Sequence, residues 1–128
     1  MPLFMPVRPG LAVNRIAFGA NYLARPRSAG PSWIGRTAKR PGTQVMIRSQ
    51  GARDVALGAG ALASLLRGRD ARAWMAAHAF ADGADAVATW IARDRLPERR
   101  ARMALGIAAG SALVAVLGAA GARPRASG

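Results

Sequence analysis

Residues 103–122, MALGIAAGSALVAVLGAAGA, run for twenty positions without a charge. A stretch of that length meets the usual criterion for a membrane-crossing helix, since about 20 residues at 1.5 Å each cover a hydrocarbon layer of ~30 Å. In water the same helix would need burial on every side, and the chain has little to bury it with. Hydrophobic residues make up 52% of the 128, yet aromatics only 5%. The commonest apolar residue is alanine, which removes little area from water at roughly 25 cal/mol per Å². Small residues suit close helix packing in lipid instead.

The rest of the chain divides around basic turns into three more helical segments. PGLAVNRIAFGANYLA spans 9–24, with Pro9 suited to a first turn. The second helix is predicted over 43–66, with Thr43 as its N-cap, and the third over 71–92, with Asp70 as a candidate cap. The fourth is predicted over 98–122 after Pro97. Residues 25–42 read as a loop punctuated by Pro, Gly and Ser, from which Trp33 and Ile34 can dip into an interface. Residues 1–8 and 123–128 read as flexible ends. The proline-interrupted start does not read as a signal peptide. Nothing alternates like a strand, so the fold class expected is all-α. The architecture expected is a single-domain four-helix transmembrane bundle with short basic loops.

Charge limits the partners and the chemistry. The net charge is +13, which suits nucleic acid or an anionic membrane surface. There is no cysteine, one histidine and six acidic residues, too few donors for a metal site. The glycine-rich stretch at 58–64 lacks a P-loop lysine, and no nucleophile elbow or catalytic triad stands out. No enzyme, cofactor or metal is therefore expected. Eleven basic residues flank one side of a four-span layout, in 25–48 and 93–102, against six at Arg8, Arg67, Arg69, Arg72, Arg123 and Arg125. By the positive-inside rule both termini would lie outside the cytoplasmic membrane.

The polar residues within the helices are the candidate site. On the third helix Trp74, His78, Asp82, Asp85 and Thr89 fall within roughly 80° of one another at 100° per residue. The remainder of that helix is mostly apolar, the reverse of a soluble amphipathic helix. Buried charges in a bilayer are costly and pair with one another. The expected cluster is Arg15, Arg53, Asp54, His78, Asp82 and Asp85, with Arg15 or Arg53 neutralising Asp82 or Asp85. Arg53 and Asp54 project about 100° apart, so Asp54 turns to the bundle and Arg53 pairs sideways or snorkels. Two carboxylates one turn apart repel unless one holds a proton, so Asp82 and Asp85 also fit a proton-accessible site. The stripe of the second helix that holds Gly51, Asp54 and Gly58 is expected to face the polar stripe of the third, with Gly51, Gly58 and Gly83 leaving room for the pairing. Gly106, Gly110 and Gly118 form a small-residue face on the last helix.

Arg15-x-x-x-Gly19 on the first helix, Gly51-x-Arg53-Asp54 on the second and the Asp82/Asp85 pair on the third resemble the small four-helix bacterial membrane proteins of the DoxX-like group. The likeness covers residues 9 to 120 in layout and implies a membrane protein. It implies no catalytic residue, and no cofactor motif here carries over the quinone-linked role of some relatives. Three functions follow. The first is a structural or accessory membrane subunit held by an internal Arg/Asp cluster, possible as a homodimer or within a larger membrane complex, with lipid rather than nucleic acid as partner. The second is a proton-linked small transporter or channel using Asp82 and Asp85. The third is a soluble basic helical protein that binds nucleic acid, with steep salt dependence.

Overall fold

A computed structural model describes residues 7–96 and 98–120, and their side chains except those of Val7, Arg100 and 118–120. Among the described residues every regular element is helical. Four are long: α1 (Val7–Ala24), α4 (Pro41–Leu66), α5 (Arg72–Ala92) and α6 (Glu98–Ala120). Between α1 and α4 lie α2 (Pro26–Ala29), α3 (Pro31–Ile34) and a 3₁₀ turn at Gly35–Lys39. The stretch 25–42 is thus not the open loop its composition suggests. Pro26, Pro31 and Pro41 each sit in a first turn, where a fixed φ and a missing N–H cost nothing. For the same reason α4 begins before Thr43, and Arg40, in extended conformation, holds the N-cap position without a side-chain bond.

The tight turn between α4 and α5 explains itself locally. Gly68 takes φ of 64°, and its N–H bonds the Leu65 carbonyl while that of Arg69 reaches Ser64. This is a Schellman ending, and it needs a left-handed residue that glycine supplies without strain. Ala71 holds the N-cap position of α5, and Asp70, one residue before it, accepts the Arg72 backbone N–H at 2.9 Å.

The long helices pack most closely as two pairs, α1 with α4 and α5 with α6. The α1–α4 pair is antiparallel and touches backbone to backbone. A Cβ on Gly51 would lie 2.6 Å from the Gly19 carbonyl oxygen, and one on Gly58 2.7 Å from that of Ala12. Both helices place these small residues seven apart, so the seam stays in register for two turns of each. Gly106 and Gly110 behave differently: a Cβ on either meets nothing within 4 Å, as at Gly83. The expected packing face of the last helix is therefore open to the outside within one chain. Gly118 lies outside the described side chains.

The distribution of polarity is inverted. Ala12, Ala38, Ile47, Ala61, Ala71, Met75 and a few other small apolar residues are buried, together with Asp54, His78, Asp82 and Thr89. Phe80 is 80% exposed, Ile91 75% and Ile107 68%, and Val13, Val45, Met46, Val87 and Leu113 also point outward. Even so, among the described residues no helix is long and apolar enough to cross a membrane. The uncharged run 103–122 of the last helix extends past the described residues, which end at Ala120. On α1, α4 and α5 the internal arginines and aspartates lower the average.

Candidate functional site: a polar seam and the cavity beside it

The two helix pairs face each other across a seam of charged side chains. Arg15 reaches from α1 to both other long helices of the cluster. Its Nη1 donates to Asp54 Oδ1 on α4 at 2.8 Å, and its Nη2 donates to Asp82 Oδ1 on α5. The other Asp82 oxygen accepts from the Ser111 hydroxyl on α6 at 2.6 Å. The line Asp54–Arg15–Asp82–Ser111 thus joins all four long helices. A second line runs beside it. Arg53 grips Asp85 through two bonds of 3.1 and 2.6 Å, and Gln50 donates to the same carboxylate at 2.7 Å. Arg53 also approaches Asp54 at 3.4 Å, joining the two lines.

The helical register explains these roles. Arg15 and Gly19 lie one turn apart on α1, so the close approach at Gly19 brings the guanidinium between α4 and α5. Asp54 sits three residues after Gly51 on the buried face of α4. Arg53, a step round the helix, points sideways along the seam to Asp85 and stays one-third exposed. Charge-assisted bonds of this bidentate kind are strong and directional. Asp82 and Asp85, one turn apart, each face their own guanidinium, Arg15 for the first and Arg53 for the second.

His78 is 2% exposed. One ring nitrogen hydrogen-bonds the backbone at Leu57 of α4. The Leu57 N–H is spent inside its helix, so the ring donates to the carbonyl. That leaves Nε2 as an acceptor, buried and without a partner. Arg53 Nε is likewise buried and unmatched.

Beside the seam lies a cavity of about 280 Å³. Its floor is polar: Arg15, Asp54, Asp82, Asp85 and His78 all line it. Its walls are Phe18 and Tyr22 of α1, Trp33 of α3, and Met103 and Ile107 of α6. Tyr22 and Trp33 stack with centroids 6.3 Å apart, so Trp33 covers the cavity rather than reaching out from a loop. Among the described residues no three acidic or imidazole groups converge to hold a metal ion.

All six side chains of the expected cluster come together here. Arg48, also a helix-embedded arginine, does not join them: it is exposed and donates to the Leu23 carbonyl at 3.3 Å. Trp74 lies against Gly60 of α4, and Trp90 faces outward under the Arg93 guanidinium at 4.2 Å. Ser111 and Gln50 are the members that sequence reasoning missed. Ser111 had a signal, as the one polar side chain in the uncharged run 103–122. Gln50 had none beyond standing one turn before Asp54.

No family model, curated protein or solved structure matches the chain. The likeness to the DoxX-like group rests on layout and short motifs alone.

Proposed function

We propose that the chain is a small, non-catalytic integral protein of the cytoplasmic membrane. Its Arg/Asp seam acts as the connector that decides which helices meet. One observation carries this reading: large apolar side chains point outward while aspartate, histidine and threonine are buried. In water that inversion exposes apolar area and desolvates charge, both unfavourable. In lipid both signs reverse, because the outer face contacts hydrocarbon and the charges find each other. Within that reading the basic stretches 25–40 and 93–102 face the cytoplasm, which leaves both termini outside. The open α6 face at Gly106 and Gly110 is where a second copy or a partner helix packs.

Carbonate washing followed by detergent extraction tests it. Retention through carbonate and release by detergent supports the membrane reading. A soluble protein, with nucleic-acid binding that falls steeply with salt, would replace it. The proton-linked transporter is the second reading, favoured by the presence of both Asp82 and Asp85 at the cavity. It requires a titratable carboxylate at one of these positions. Asp85→Asn in proteoliposomes with a pH-sensitive dye inside tests that requirement: loss of proton flux supports transport, and absence of flux in the unsubstituted protein refutes it.

A further inference from the structure

The cavity floor is one positive charge short. Two guanidiniums, of Arg15 and Arg53, stand against three carboxylates, of Asp54, Asp82 and Asp85. Those three are half of the acidic residues of a chain whose net charge is +13. All three line the cavity, whereas Arg53 does not. The charged donor at the floor is already committed, Arg15 to Asp54 and Asp82, as are Gln50 to Asp85 and Ser111 to Asp82; Asn14 and Tyr22, which also line the cavity, bring only uncharged donors. An acceptor is left over instead, the buried Nε2 of His78. Empty space next to surplus negative charge and a spare acceptor calls for a donor that carries positive charge.

The geometry points to a small organic ammonium ion as the ligand of this cavity. A bare metal ion does not fit, since the acidic and imidazole groups do not converge on one point. An ammonium group spreads its charge over several N–H donors and can meet separated acceptors. The walls suit the rest of such a ligand. Phe18 and the stacked Tyr22–Trp33 pair present aromatic surface, which attracts cations, and Met103 and Ile107 complete an apolar wall. A volume of about 280 Å³ accommodates an amine with a one-ring body rather than a whole lipid. The inference rests on the cavity alone and stands whether or not the bundle sits in a membrane.

The probes are benzylamine, benzyl alcohol and benzoate, which share a body and differ in charge. Binding to the full-length protein in a non-ionic detergent is read by calorimetry at pH 7 and moderate salt. Benzylamine is expected to bind about tenfold tighter than the alcohol, and benzoate least. The overall charge of +13 predicts the opposite order, so non-specific attraction cannot imitate the result. Asp85→Asn removes the surplus charge and is expected to abolish the preference for the amine. Because that variant can also lose its fold, Phe18→Ala, at a half-exposed wall position, provides a second test. It is expected to weaken benzylamine several-fold while Leu113→Ala leaves it unchanged. The ammonium can come from a free amine or from an ethanolamine headgroup. Benzylamine affinity that falls in phosphatidylethanolamine bilayers relative to phosphatidylcholine bilayers, which carry the same net charge, assigns it to the headgroup, and unchanged affinity to a free amine. A benzylamine affinity no better than that of the alcohol means that a proton supplies the missing charge, and overturns the proposal.

Discussion

Removing Arg15 strands two carboxylates at once. Its side chain is 10% exposed, and its partners Asp54 and Asp82 are 11% and 9% exposed at their side chains. Without it Asp54 keeps only the 3.4 Å approach of Arg53, and Asp82 keeps only the Ser111 hydroxyl. Breaking a buried pair by deleting one partner costs about 3–5 kcal/mol, because the desolvated charge stays behind. Arg15→Met retains the apolar stem, so most of the loss is electrostatic, and about 4 kcal/mol is expected. That is roughly a thousandfold in the folding equilibrium, a large part of a stability of about 5–15 kcal/mol. The informative companion is Arg15→Met with Asp54→Asn and Asp82→Asn. Replacing a whole buried ionic group with neutral residues of similar size is often near neutral, so this triple variant should recover to within about 1.5 kcal/mol of the original. Equilibrium unfolding in mixed micelles, followed by fluorescence of the three tryptophans, measures both. A loss below about 1 kcal/mol in the single variant, or a triple variant no more stable than the single one, would refute the account of the seam.

The glycines separate by packing. Gly51→Ala drives a methyl into the Gly19 carbonyl and should cost about 1–3 kcal/mol, whereas Gly110→Ala, open within one chain, should gain about 0.8 kcal/mol of helix propensity in dilute micelles that hold one chain each, both read from unfolding curves. Asp70 gives an acid-limb signature. The Arg72 backbone N–H, with its side chain second, holds the Asp70 carboxyl below its ordinary value of 3.8. The stabilisation is therefore complete above that value and is lost as pH falls through the lower folded value. Melting temperatures from pH 6 to pH 2 should show a component that Asp70→Asn removes. A charge on the outward face tests the surroundings of the bundle. Phe80→Asp at an 80% exposed site should reduce carbonate-resistant membrane retention, at about 2.5–3.5 kcal/mol for a charge near a helix centre in lipid. Unchanged retention would place that face in water.

Helix positions were legible because they depend on local chemistry. Asp70 before α5 acts within two residues of itself, and the basic turn at 67–70 separates two apolar runs. The polar stripe of α5 was legible for the same reason, as it needs only the helical period. Partner choice was not. Gly51 and Gly58 do pack tightly as expected, but against Gly19 and Ala12 of α1 rather than against α5, while Gly106 and Gly110 face open space. Spacing describes one helix surface, whereas contact depends on how two helices are rotated against each other. The short helices in 25–42 were missed because three prolines read equally as loop punctuation or as helix starts. Ser111 and Gln50 joined the seam through geometry that no single helix contains.

The same distinction bears on the membrane reading. Hydropathy averages score each helix alone, and count Arg15, Arg53 and the three aspartates as if each were solvated by itself. In the folded chain those five side chains solvate one another across three helices. A helix that is too polar by its average can still present an apolar exterior, and α5 does: Phe80, Val87 and Ile91 face outward while His78, Asp82 and Thr89 are buried. The relevant quantity is the polarity of the assembled outer face. On that measure the charged seam makes the helices depend on one another, since α1, α4 and α5 each carry a charge whose partner is on a neighbour.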